Sequence, residues 1–241
     1  MRSARQGAHR GPFFVIGRFW IMRAAILVAA ALALAFPASS AGGVEAEMDI
    51  LEAARTGDAE ALARLVASGV DLEIRDPDQR TPLLVSVRHD HRQAAAVLIA
   101  AGADVNARDV MGDTPFLYAG AEGRDEILRT ILATGKADLG STNRYGGTAL
   151  IPAAHHGHPA TVRILLGTTI DIDHINDLGW TALLEAVILG DGGPVYREIV
   201  GLLVDAGAKN IPDGNGTTPL AHAEARGFMH IAARIAAGPR K

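Results

Sequence analysis

The chain repeats itself at a spacing near 33 residues, and that period constrains the fold more than any other property of the sequence. Thr-Pro or Thr-Ala pairs stand at Thr81-Pro82, Thr114-Pro115, Thr148-Ala149, Thr181-Ala182 and Thr218-Pro219, in steps of 33, 34, 33 and 37 residues. One step of 33 back from Thr81 reaches Met48, and Asp49-Ile50-Leu51-Glu52-Ala53-Ala54 continues the pattern. A second register marks the far end of each unit: Ser68-Gly69-Val70-Asp71, Ala101-Gly102-Ala103-Asp104, Thr134-Gly135 with Ala137-Asp138, Thr169-Ile170-Asp171, and Ala206-Gly207-Ala208. A third is a mid-unit glycine at Gly57, Gly123, Gly157, Gly190 and Gly227, with Asp90 in that slot in the second unit. A unit this short cannot bury an apolar face alone, so its neighbours must stack into one folding domain.

Each mark has a mechanical meaning. Thr-Pro starts a helix, because the hydroxyl caps free amides and proline suits the first turn. Leu83, Phe116, Leu150, Leu183 and Leu220 then open a short apolar face. The mid-unit glycine is expected to end that helix with a positive φ. A second helix follows, with apolar pairs Val97-Leu98, Ile131-Leu132, Leu165-Leu166 and Leu202-Leu203. The stretch Ala101 to Asn106 ends it and leads to a turn.

The run Ala101-Gly102-Ala103-Asp104-Val105-Asn106-Ala107-Arg108-Asp109, followed by Gly112-Asp113-Thr114-Pro115, resembles the ankyrin repeat, and the likeness extends over about residues 46–241. It implies an all-α repeat, a solenoid of paired antiparallel helices with short hairpin loops. Six units are expected, at about 46–78, 79–111, 112–145, 146–178, 179–215 and 216–241. The sequence also departs from the family. Where the family usually carries a His after Thr-Pro-Leu, this chain has Leu51, Leu84, Leu117, Ile151, Leu184 and Ala221. Apolar packing is expected in place of the loop bridge attributed to that His. The fifth unit carries about five extra residues around Gly190-Asp191-Gly192-Gly193-Pro194.

The N-terminal segment reads as an address. Residues 1–41 hold Arg2, Arg5, Arg10, Arg18 and Arg23 with no Asp or Glu, then the small apolar run Ala24–Phe36, then Pro37-Ala38-Ser39-Ser40-Ala41. That order matches a secretory signal peptide cut after Ala41. The 13-residue apolar run is too short to span a bilayer core of about 30 Å. Met22 would open a compact signal peptide by itself, which makes it an alternative start. A mature chain from residue 42 would be periplasmic or secreted, with no stable membrane insertion. With no cysteine in the sequence, it has no disulfide, thiolate metal site or lipidated cysteine. Beyond Ala41 there are 18 basic and 27 acidic side chains, a net charge of −9. That balance argues against nucleic acid and favours a protein partner with a basic patch. Aromatics are only 5% of a chain that is 49% hydrophobic, so alanine fills close helix contacts.

The family resemblance also implies where contacts lie: on hairpin tips and at the end of each first helix. Carried over residue by residue, the tips supply Asp78 and Arg80, Met111 and Asp113, Arg144 and Tyr145, Asp177, Leu178 and Trp180, and Asn215 and Thr217. The helix ends supply Arg55, Arg88 and His89, Glu122, His155 and His156, Leu189, and Arg226. Aromatic residues and Arg dominate interface hot spots. The contact set expected to matter most is therefore Arg88, His89, Met111, Asp113, Tyr145, His155, His156 and Trp180. Met111, Tyr145 and Trp180 would form an apolar ladder, unless Trp180 folds back over its own hairpin.

His155, His156 and His158 raise a metal-handling alternative. The first two are adjacent at a helix end, where they are expected to point apart, and His89 lies two units away. Exposed histidines on a binding face are the plainer reading. Gly190-Asp191-Gly192-Gly193 lacks the Gly-Lys-Ser/Thr of a phosphate loop and reads as a helix–helix loop or a partner-contacting loop. No catalytic motif stands outside the repeat grammar, and no cofactor is expected. The reading is a non-catalytic, monomeric interaction module, with an exported effector acting on host proteins as the alternative.

Overall fold

The computed structural model describes residues 43–240, with side-chain surroundings from Asp49 onward. Residues 1–41, expected to be an export signal, lie outside the described residues. Among the described residues every regular element is a helix, and the helices fall into six pairs: α1 (Gly43–Thr56) and α2 (Ala59–Ala67), α3 (Pro82–Arg88) and α4 (Arg92–Ala100), α5 (Pro115–Ala121) and α6 (Asp125–Ala133), α7 (Leu150–His155) and α8 (Pro159–Leu166), α9 (Ala182–Ile188) and α10 (Pro194–Asp205), α11 (Pro219–Ala225) and α12 (Met229–Ala237). None of them is long and apolar enough to cross a membrane. The odd-numbered helices stack on one another as one layer and the even-numbered helices as a second, so the core is a continuous seam between layers. Leu83, Phe116, Leu150 and Leu183 are buried in it, as are Ala119, Ala149, Ala153, Ala154 and Ala186. Small side chains let the layers approach closely.

Four of the five cap threonines behave as their spacing predicts. The hydroxyls of Thr81, Thr114, Thr181 and Thr218 accept from the backbone N–H three residues on. Each threonine carbonyl also accepts from the residue four on, at 2.9–3.0 Å. Thr148 departs because Pro152 occupies that fourth position and has no N–H to give. The Thr148 carbonyl instead takes the Ile151 N–H at 3.1 Å, and its buried hydroxyl is left without a partner. Of the six positions that lack the family's His, Leu84, Leu117, Ile151 and Leu184 are buried as expected, and Leu51 and Ala221 in the terminal units are half-buried.

The mid-unit slot has a positive φ at Gly57, Asp90, Gly123, Gly157 and Gly227. In the fifth unit the positive φ falls on Gly192, at 72°, and not on Gly190 as the register suggests. Gly190 is required for another reason: a Cβ there would collide with the Ala186 carbonyl and the Tyr196 ring. The insertion is also less of a loop than its length implies. α10 has 12 residues against nine in α4 and α6, so most of the extra chain becomes helix.

Candidate protein-binding face

The hairpins between units are built on one Asx residue each: Asp76, Asp109, Asn143, Asn176 and Asp213. In every case one side-chain oxygen accepts from the N–H two residues on and from the N–H four residues on, at 2.8–3.0 Å. This double acceptance locks the turn and turns the residue two past the Asx outward. Successive tips therefore present Asp78, Met111, Tyr145, Leu178 and Asn215. The hairpins are tied to one another as well. Val110 N–H donates to Asp78 O and Asp177 N–H to Tyr145 O, Arg75 bridges to Arg108 O, and Arg108 bridges to Thr142 O. Such ties make the tip row a rigid edge.

The three middle tips are apolar and exposed: Met111 at 44%, Tyr145 at 54% and Leu178 at 58%. The expected Met–Tyr–Trp ladder is therefore a Met–Tyr–Leu ladder. Trp180 sits four past its Asx residue, where its N–H donates to Asn176 Oδ1 and its carbonyl accepts from Asn176 N–H. It is half-buried.

Two open grooves lie between the tips and the first-helix layer. The first, about 490 Å³, is lined by Glu52, Arg55, Arg80, Val85, Arg88 and His89, with Asp49, Leu51 and Asp76. The second, about 460 Å³, runs along α5, α7 and α9 and contains Asp113, Tyr118, Glu122, Tyr145, His155, His156, Leu178, Glu185 and Leu189. Of the eight expected contact residues, Arg88 and His89 lie in the first groove, and Asp113, Tyr145, His155 and His156 in the second. Met111 stands on the tip row outside both, and Trp180 lines neither.

The histidines are closer than their position at a helix end suggests. The His155 and His156 rings are 4.9 Å apart between centroids instead of diverging. Both are drawn toward acceptors on neighbouring units: His156 Nδ1 bonds Ala121 O at 2.7 Å, and His155 Nδ1 lies 3.4 Å from Glu185 Oε2. Burial, then the neighbouring His156, lowers the pKa of His155. His89 is lowered by burial first and then by His91, Arg55, Arg80 and Arg88. Among the described residues no three or more His, Asp or Glu side chains converge as a metal ligand set.

Charges in the two grooves are handled differently. In the first, Arg80 pairs with Asp76 at 2.7 Å and with Asp78 at 2.5 Å, and Arg55 pairs with Glu52. In the second, Glu185 is only 5% exposed. Asn176 Nδ2 donates to its Oε1 at 2.9 Å, and Oε2 faces the His155 imidazole. Burial raises the Glu185 pKa, against the pull of the Asn176 hydrogen bond. Asp113 is raised too, by burial and then by Asp109.

Sequence reasoning did not select Glu185, Asn176 or Tyr118. One signal could have found Tyr118 and Glu185. In the first five units the fourth position past the repeat's Thr slot points into the grooves, and it holds Glu52, Val85, Tyr118, Pro152 and Glu185. A carboxylate there, in a helix whose neighbours are all buried, is out of place unless something compensates it.

Paired helices in two layers, a rigid row of hairpin tips and a concave groove together define an α-solenoid recognition scaffold. The chain belongs to the ankyrin-repeat family. A sequence model describing ankyrin repeats in three copies matches residues 50–143 and 131–211. The chain is 39% identical over 193 residues to the ankyrin repeat protein YahD of Escherichia coli K12, covering 79% of this chain and 96% of that one. An ankyrin repeat domain from Acinetobacter baumannii AYE is similar in structure, with a TM-score of 0.77 and 48% identity over 79% of this chain and 97% of that one. The ankyrin repeat domain of Bcl-3, described as a member of the IkappaB protein family, gives a TM-score of 0.71 at 28% identity, covering 80% and 86% of the two chains. Ankyrin repeats are in general protein-interaction modules.

Proposed function

We propose that this protein is an exported, non-catalytic binding module that holds a partner protein across its concave grooves and tip row in the periplasm or cell envelope. The observation that carries the reading is the row of Met111, Tyr145 and Leu178, exposed on hairpins locked by their Asx residues and set beside the second groove. A preorganised surface of this kind loses little entropy on docking. The export reading rests on the sequence pattern of residues 1–41. The net charge of −9 beyond Ala41 supports a partner with a basic patch, and association should slow with added salt.

The test uses the full chain with a C-terminal tag. Fractionation should recover a shortened form, cut after Ala41, from the periplasm. Recovery of uncut protein from the cytoplasm would overturn the export reading, and recovery from the medium would favour an effector acting outside the cell. Capture from an envelope extract should be strong at low salt and should fall when Tyr145 and Leu178 are both changed to Ala, with thermal stability nearly unchanged. Capture that survives the double change would place the contact elsewhere.

A further inference from the structure

Within that protein-binding reading, we propose that the second groove is a seat for one cationic side chain of the partner, a lysine or arginine, with Glu185 as its anchor. The first ground is the state of Glu185. The residue is 5% exposed, and among the described residues its only ion-pair partner is the imidazole of His155. Burial disfavours a proton on that imidazole, so at neutral pH it brings no compensating charge. A buried carboxylate without a cation is costly, and a docking cation removes the cost.

The equivalent pair one unit on shows the alternative. Asp213 and His222 occupy the same two repeat positions as Asn176 and Glu185, and they bond each other at 2.8 Å. There the carboxylate is served within the chain. In the fifth unit the carboxylate has moved onto the helix and its hairpin partner is a neutral amide.

The second ground is charge complementarity over the whole groove. Asp113, Glu122 and Glu185 line it, against one lining arginine, Arg144, and Arg88 of the neighbouring unit over the Tyr118 ring. Arg144 is already stacked on the Tyr145 ring at 4.8 Å. The third ground is the wall. Tyr118, Tyr145, Leu178 and Leu189 form apolar sides along which the stem of a long basic side chain can run while its head reaches the carboxylate. One of these wall rings already takes a cation from the neighbouring unit, for Arg88 lies over Tyr118 at 4.5 Å.

The experiment is a nuclear magnetic resonance titration of the labelled protein with N-acetyl-argininamide and N-acetyl-lysinamide, against the neutral N-acetyl-citrullinamide. The cationic probes should shift the Glu185 carboxyl, the Asn176 side-chain amide and Tyr145 at concentrations about tenfold below those citrulline needs, as expected for a charge-assisted contact. Glu185→Gln, with an otherwise native spectrum, should abolish the preference. Tyr145→Ala, at an exposed tip where folding is not at stake, should weaken the cationic probes several-fold. An equal response to cationic and neutral probes, or a preference that survives Glu185→Gln, overturns the proposal. A protein that shows the preference yet captures nothing from an envelope extract would count against the proposed partner and leave the site standing.

Discussion

The first groove is floored by Glu52 and Val85 at the fourth position past the helix start, and the second by Tyr118, Pro152 and Glu185 at that same position. The repeat thus aims equivalent side chains at both grooves and leaves their chemistry open. In the first, most charges close on themselves, Arg80 with Asp76 and Asp78 and Arg55 with Glu52, and Arg88 leans onto the Tyr118 ring. In the second, the decisive charge is buried on α9 and has no permanent cation facing it. The contrast teaches that framework and recognition occupy different positions of one repeat. Asx residues, cap threonines and leucines hold the geometry, and the fourth position carries what differs from unit to unit.

That contrast assumes one cooperative body carrying both grooves. The largest expected effect tests this assumption. Phe116 is fully buried in α5, the helix that packs on α3 of the first groove and on α7 of the second. Phe116→Ala should cost about 3–5 kcal/mol. Groove-one and groove-two resonances should be lost together in a single denaturant transition. Two separated transitions would mean that the grooves belong to independent halves.

The next effect is one chemical change with opposite signs. Asp76→Asn in the first groove keeps an oxygen for the backbone bonds, as Asn143 and Asn176 do, but loses the ion pair to Arg80. It should destabilise by about 1 kcal/mol. Glu185→Gln removes a buried charge and should stabilise at pH 7 by about 1–3 kcal/mol. Because the folded pKa of Glu185 is raised, the folded carboxyl protonates before the unfolded one as pH falls. The gain from Glu185→Gln should therefore shrink as pH drops through the folded pKa and vanish below about pH 4. Denaturant melts across this range would read it. A Glu185→Gln protein less stable than its parent at pH 7 would break the contrast.

The framework was legible in the sequence because it recurs. The register of Thr81, Thr114, Thr181 and Thr218 predicted the caps, and the apolar face after each predicted the buried layer. What was harder to read depended on single residues acting across the register. Pro152 silences the Thr148 cap through a missing N–H, an effect visible only once backbone partners are known. The positive φ falls on Gly192, while Gly190 is held to glycine by the Ala186 carbonyl and the Tyr196 ring, contacts that no register shows. Trp180 drew attention as a large aromatic at a tip, yet the Asx geometry turns Leu178 outward instead. Glu185 escaped because a carboxylate on a short helix reads as surface until its neighbours are seen to be buried.

The silent cap gives the third prediction. Thr114→Ala removes a hydroxyl that accepts the Leu117 N–H at 3.0 Å and should cost about 1 kcal/mol. Thr148→Ala, in the unit that supplies α7 to the second groove, removes a buried hydroxyl with no partner and should be near neutral in the same denaturant melts. A cost at Thr148 equal to that at Thr114 would mean that α7 is capped like the others.

The smallest expected effect is a pH slope to which both grooves should contribute when empty, and of which only the second groove's part should change once that groove is filled. His89 and His155 both have lowered pKa values, burial being the first cause in each. The unfolded imidazoles take up protons near pH 6.5, about where free histidine does, and the folded ones only at lower pH. Between those limits the unfolded chain binds more protons, so stability is full above about pH 6.5 and falls as the pH drops below it. His89→Asn and His155→Asn should each flatten part of that slope. A cation seated at Glu185 would stand beside His155, whose Nδ1 is 3.4 Å from the carboxylate, and would oppose its protonation further. Titrating both imidazoles with and without N-acetyl-argininamide should therefore move His155 to lower pH and leave His89 in place. Equal movement of the two would show that the probe acts on the protein's overall charge, and the grooves would lose the distinction drawn between them.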